Sequence, residues 1–108
     1  MQKTLNEIKN KTIDILLDLG ITPEIKGFKH IILAVQEIRL GTDEICKVYE
    51  KVASRTDTTK TSVERSIRHA ITKMDKSKWF YPHVEKFTNG YVLHSIALKI
   101  EQGEYWNE

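Results

Sequence analysis

Apolar residues recur at three- and four-residue intervals in five separate stretches of this chain, and nowhere do they alternate over the length of a strand. Leu5, Ile8, Ile15, Leu16 and Leu19 mark a first helix over about 4–19, and Gly20 follows as a C-terminal stop. Phe28, Ile31, Ile32, Val35 and Ile38 form one face of a second, which ends near Gly41 after the connection "ITPEIKG". Ile45, Val48, Tyr49, Val52 and Ala53 mark a third, with Thr42 or Asp43 as its cap. Val63, Ile67, Ala70, Ile71 and Met74 mark a fourth, started by Thr59 or by Thr61 in a T-x-x-E box with Glu64. Leu93, Ile96, Ala97 and Ile100 mark the last, capped by Thr88 or Asn89. Between these two, "DKSKWFYPHVEKF" predicts a short helix ending before Pro82, and the tail "GEYWNE" is expected to be loosely held. A helical stripe is buried only against other helices, so the expected fold is all-α, about six helices in oblique contact.

With 108 residues the chain is expected to form a single domain spanning 1–108. No apolar run approaches the roughly 20 residues that cross a bilayer, and the polar start "MQKTLNEIKNK" does not read as a signal peptide. The single cysteine, Cys46, has no partner for an intramolecular disulfide, so no membrane and a cytoplasmic location are expected. Next to Ile45, that cysteine is expected to be packed. His30, His69, His83 and His94 never fall at metal-ligand spacing with Cys46 or with one another. No G-x-x-x-x-G-K, G-x-S-x-G or G-x-G-x-x-G motif occurs. The expectation is therefore no metal, no cofactor, no catalytic residue and no enzyme. Trp79, Phe80 and Tyr81 are expected as core aromatics, while Tyr105 and Trp106 are expected to dock on the body or on a second copy.

The net charge of +2 excludes little, but its distribution is uneven. Residues 47–73 hold seven basic side chains (Lys47, Lys51, Arg55, Lys60, Arg65, Arg68 and Lys73) against three acidic ones (Glu50, Asp57 and Glu64). Elsewhere acids slightly outnumber bases. This basic quarter coincides with the third and fourth helices, which match a helix-turn-helix over about 43–74. Such a unit needs a small residue where its helices cross, and Ala53 supplies it. It needs a turn residue that tolerates left-handed dihedrals, a role Asp57 can fill, and an apolar anchor ten residues after the small one, which is Val63. At 100° per residue from Val63, the apolar positions fall between about −20° and +80°. Thr61, Arg65, Arg68 and Thr72 fall between about 140° and 200°, with His69 beyond them and Glu64 at the edge of the apolar stripe. The outward face is expected to carry its arginines without interleaved acids. That suits bidentate contact with guanine O6 and N7, and Glu64 suits cytosine N4. An ordinary solvated face remains the alternative at this point.

The run "SVERSIRHAI", preceded by "VYEKVASRTDTT", resembles the C-terminal effector domain of the stage-zero sporulation response regulators. That family carries V-E-R-x-I-R-H-A-I in its recognition helix, and every fixed letter stands here, from Val63 through Ile71. "LGITPEIKGF" resembles the segment before the family's second helix, and "TNGYVLHSIALKI" its last helix. The resemblance implies a DNA-binding domain that reads a TGTCGAA-like box in double-stranded DNA as tandem copies. It implies that Glu64, Arg65, Arg68 and His69 face base edges or nearby phosphates, and that Thr58, Thr59, Lys60 and Thr61 meet the backbone. The helix over 59–74 would enter the major groove, braced by the one over 43–54. A rival expectation is a protein-interaction module that heterodimerises with a full-length regulator and antagonises it. The family joins this domain to a phosphoacceptor receiver, and nothing like one stands in these 108 residues. DNA binding is therefore expected without phosphorylation.

The stretch between Met74 and Thr88 is shorter than in the family, where it helps copies meet. Free in solution at micromolar concentration, the protein is expected to sediment as a monomer. A duplex with two adjacent boxes should bind more tightly than one box, because DNA supplies the local concentration. A stable free dimer, or equal affinity for one and two boxes, would contradict these expectations.

Overall fold

A computed structural model describes the backbone of residues 4–106 and the side chains of residues 4–103. The described residues form five α-helices and one 3-10 turn, with no strand: α1 (Leu5–Asp18), α2 (Gly27–Arg39), α3 (Ile45–Arg55), α4 (Lys60–Thr72), the turn Lys76–Lys78, and α5 (Asn89–Trp106). No helix among the described residues is long and apolar enough to cross a membrane. α2 occupies the centre and touches all four other helices. Its apolar face, Phe28, Ile31, Ile32 and Val35, is buried with Leu16 and Ile21 on one side and Val52, Val63, Ile67, Leu93 and Ile96 on the others. Removing such side chains from water is the main favourable term, worth about 1.5–3 kcal/mol each when complete.

Each helix stops where the chain supplies a residue for the reversal. α1 begins in a capping box in which the Thr4 hydroxyl accepts from the Glu7 amide and the Thr4 amide donates to the Glu7 carboxylate. It ends with Gly20 at φ 87° and the Ile21 amide donating back to the Leu16 carbonyl at 2.9 Å. α2 ends the same way, with Gly41 at φ 108° and Thr42 N–H donating to the Glu37 carbonyl. That bond is why Thr42 does not cap α3. It belongs to the end of α2, its hydroxyl accepts from Lys51 Nζ, and α3 starts later, after Glu44, without a side-chain cap. Asp43, the other expected cap, is exposed and also lies before that start. α3 closes on a third reversal of this kind, in which Asp57 takes φ 53° and Thr58 N–H reaches the Ala53 carbonyl at 3.1 Å.

Two other segments depart from their sequence patterns. The short helix expected before Pro82 shrinks to the single turn Lys76–Lys78, capped by the Asp75 carboxylate on Ser77. Those hydrogen bonds hold the Asp75 pKa below its ordinary value. Beyond the turn the aromatic residues spread over α5 instead of continuing a helix. Trp79 stacks on Phe80 at 4.3 Å and donates to the Tyr91 hydroxyl, and Tyr81 donates to Gln102 at 2.7 Å. All three are half-buried, a cover over the core rather than its interior. The helix at the end of the chain runs on to Trp106, so the backbone expected to be a loose tail is helical through that residue. The side chains of Tyr105 and Trp106, expected to dock, lie outside the described residues. Cys46 is exposed rather than packed, because it falls off the 45/48/49/52 stripe of α3.

α2 and α4 come into backbone contact at Gly27. A Cβ on Gly27 would lie 2.7 Å from the Ala70 Cβ and inside the Ser66 carbonyl. Gly27→Ala must therefore push two backbones apart, at a cost of about 1–3 kcal/mol or more, while Gly90→Ala meets open space and should be close to neutral. Thermal unfolding of the two variants beside the parent checks this. Equal midpoints for Gly27→Ala and the parent would mean that α2 and α4 do not touch there.

Candidate nucleic-acid interface

α4 is divided along its length. Val63, Ser66, Ile67, Ala70 and Ile71 are buried, while Thr61, Arg65, Arg68, His69 and Thr72 are exposed and Glu64 is half-buried. Thr59 starts the helix, its hydroxyl accepting from the Ser62 amide at 3.0 Å. Thr61 is thus a first-turn residue and makes no capping box. Lys60 is exposed at the helix start, and Thr58 is half-buried with its amide committed to the turn.

The outward face is less uniformly basic than its sequence suggests. Arg68 Nη2 lies 2.8 Å from the Glu64 carboxylate, one helical turn earlier, so the arginine expected to stand without a neighbouring acid has one. Arg55, also part of the basic surplus, turns toward α2, where it pairs with Glu37 at 3.0 Å and donates to Gln36 at 3.2 Å. Gln36 in turn donates to the Leu5 carbonyl, which ties α1, α2 and α3 together through one polar chain. No ion pair is formed by Lys60, Arg65 or Lys26 among the described residues.

The candidate base-contacting residues lie on the two flanks of α4. Arg65 and His69 line a depression of about 390 Å³ together with Thr59, Thr61 and Lys26. Glu64 and Arg68 line a groove of about 500 Å³ on the opposite flank, whose far wall is Tyr49, Lys86, Phe87 and Asn89. Asn89 Nδ2 donates to the Glu64 carbonyl at 3.0 Å and fixes the start of α5 against α4. Burial pushes the Tyr49 phenol pKa up. Lys26 and Lys86 stood outside the helix-turn-helix pattern. Periodicity carries no signal for them, because only tertiary packing brings their segments beside α4.

Below α4, His30 of α2 is buried and its Nδ1 meets the Ser66 hydroxyl. Ser66 donates its own proton to the Val63 carbonyl at 3.0 Å, so Nδ1 carries a proton and donates to Ser66. Desolvation, with Lys26 and Lys29 nearby, lowers the His30 pKa. The imidazole is a structural member of the α2–α4 contact. No group of three or more His, Cys, Asp or Glu among the described residues could hold a metal ion.

A family model described as sporulation initiation factor Spo0A C terminal matches residues 12–100. The chain belongs to that family. The match takes in the whole helix-turn-helix, the α2–α4 contact and the start of α5. Spo0A C-terminal domains are DNA-binding domains of sporulation transcription regulation, and the all-helical fold with a central helix-turn-helix accords with that membership.

The buried histidine makes stability depend on pH. A depressed folded pKa means that the unfolded chain binds the proton more readily. The contribution of His30 is therefore intact above the ordinary value near 6.5 and lost as pH falls from there through the folded pKa. His30→Gln, which retains a donor for Ser66 but does not titrate, should flatten the decline. Denaturant unfolding at a series of pH values from 8 to 5 reads the difference, and parallel curves for parent and variant would assign the decline to other groups.

Proposed function

We propose that this member of the Spo0A C-terminal family binds double-stranded DNA sequence-specifically, with α4 in the major groove and α3 crossing behind it. The observation that carries the reading is the division of α4. Its inner face is sealed into the core along the full helix, so Arg65, Arg68, His69 and Thr61 are presented outward on a fixed support. A helix of 13 residues is about 20 Å long and fits a groove roughly 12 Å wide.

In this reading Arg65 and Arg68 donate to guanine O6 and N7, and Glu64 accepts from cytosine N4. The Glu64–Arg68 pair biases the orientation of both groups before DNA arrives. His69 stands beside Arg65, at a base edge or the adjoining phosphate. Thr58, Thr59, Lys60 and Thr61 hold the backbone at the helix start, where the helix dipole also favours an anion. The target is a TGTCGAA-like box, and tandem boxes would seat neighbouring copies. Regulation of transcription then follows from occupancy of such boxes.

Titration of labelled cognate and scrambled duplexes tests the reading through two variants. Arg65→Ala should cost about 1–3 kcal/mol on the cognate box and flatten discrimination at one G·C pair. Lys60→Ala should weaken both duplexes alike and lower the salt slope by about one. A parent protein that binds the two duplexes equally would overturn sequence-specific reading. Equal losses from both variants on both duplexes would overturn the division into base readers and backbone holders.

A further inference from the structure

The geometry points to a phosphate seat between the start of α2 and the outer flank of α4, with Lys26 as a DNA-backbone contact from outside the helix-turn-helix. This inference rests on the DNA-binding reading above and extends the interface to a third helix. The depression there is lined by Lys26, Thr59, Thr61, Ser62, Arg65 and His69, and no acidic side chain lines it among the described residues. Neither Lys26 nor Arg65 forms an ion pair among the described residues. The groove on the other flank differs, since its arginine is already matched by Glu64 and its walls include Ile45, Tyr49 and Phe87.

Lys26 is not in this place by chance of a long side chain. It directly precedes Gly27, whose missing Cβ lets the α2 backbone rest on Ser66 and Ala70 of α4. Arg65 and His69 flank those two residues in sequence, on the exposed side. The backbone contact therefore fixes the root of Lys26 beside them. Lys26 is also the residue at which α2 begins, yet its side chain makes no capping bond, so its ammonium group is not needed for the helix. The beginning of α4 adds the positive end of a helix dipole to the same depression. Two cationic side chains, an imidazole and hydroxyls around a concavity form a receptor for a multiply hydrogen-bonding oxyanion. With α4 in a major groove, the phosphates bordering that groove are the oxyanions that run along its flanks.

The test compares Lys26→Ala, Lys26→Arg and Lys29→Ala with the parent on cognate and scrambled duplexes across a salt series. Lys29 is exposed on the same helix but does not line the depression, so it controls for general loss of positive charge. Lys26→Ala should bind both duplexes about tenfold more weakly at ~0.1 M salt, with the salt slope lower by about one and the discrimination ratio unchanged. Lys26→Arg should recover most of the affinity, Lys29→Ala should lose little, and all variants should melt close to the parent. Parental affinity and slope in Lys26→Ala, or an equal loss in Lys29→Ala, overturns the seat and leaves the DNA-binding reading standing if the parent still discriminates. A parent that binds no duplex overturns both.

Discussion

Backbone contact between α2 and α4 at Gly27 is the constraint on which the rest of the arrangement depends. α2 touches every other helix, so the position of α4 against it sets where the outward face points. A residue with a Cβ at 27 cannot enter the space beside Ala70 and the Ser66 carbonyl. The contact is so close that the polar groups trapped in it need partners. Ser66 and His30 supply them to one another, with the Val63 carbonyl taking the remaining hydroxyl proton. The low His30 pKa has the same origin, since a charged imidazole here would lack water. One glycine, one serine and one neutral histidine thus set the height of α4 above the core.

The orientation of α3 follows from a second set of constraints. Its end is held by Asp57, which accepts a left-handed backbone so that the chain can turn into α4. Such a conformation disfavours most side chains by about 1–2 kcal/mol, though aspartate visits it more readily than most. Its other anchor is Arg55, drawn toward Glu37 and Gln36 of α2. Glu37 and Gln36 are both buried, so their polar atoms would be costly without the guanidinium and the Leu5 carbonyl as partners. The arginine at the end of α3 therefore fastens the brace helix to the centre of the fold and is not available to a partner in that geometry.

Much of this was legible in the sequence because helical periodicity is a local signal. Each of the five expected stripes overlaps an observed helix, with only Leu19 and Met74 falling just past the ends of α1 and α4, and the turn residue Asp57 and the cap Thr59 hold the positions that turn and cap chemistry require. What escaped depends on contacts between distant segments. "ITPEIKG" reads as a plain connection, yet its last residue brings α2 into backbone contact with α4. The start of α3 moved because Thr42 is consumed by the end of α2, a competition between two helices for one residue. The stretch 79–88 carries aromatic residues whose helical or extended fate is decided by the surface of α5, not by their own spacing. In the candidate interface, the identity of the outward residues was readable from angle alone. The Glu64–Arg68 pair was not expected because Glu64 falls at the edge of the apolar stripe, although side chains one helical turn apart are neighbours on the helix surface. Lys26 stands in the "LGITPEIKGF" segment, but nothing in its spacing marks it as a neighbour of Arg65.

The unequal flanks of α4 bear on how a reading helix can be both oriented and adaptable. An exposed pair such as Glu64–Arg68 stabilises a helix by only about 0.3–0.5 kcal/mol, so it narrows the rotamers of both side chains without holding them strongly. A bidentate contact from arginine to guanine gives roughly 1–3 kcal/mol of discrimination, several times the cost of giving up that pair. Arg68 can thus begin in one geometry and end in another at little expense. Arg65, with no acid to leave, is exposed and lines the depression beside Thr59 and Thr61. The two arginines of one run are therefore not equivalent, despite their three-residue spacing on the same helix. One begins on a partner it can release, while the other stands without an acid beside the surface that Gly27 makes possible.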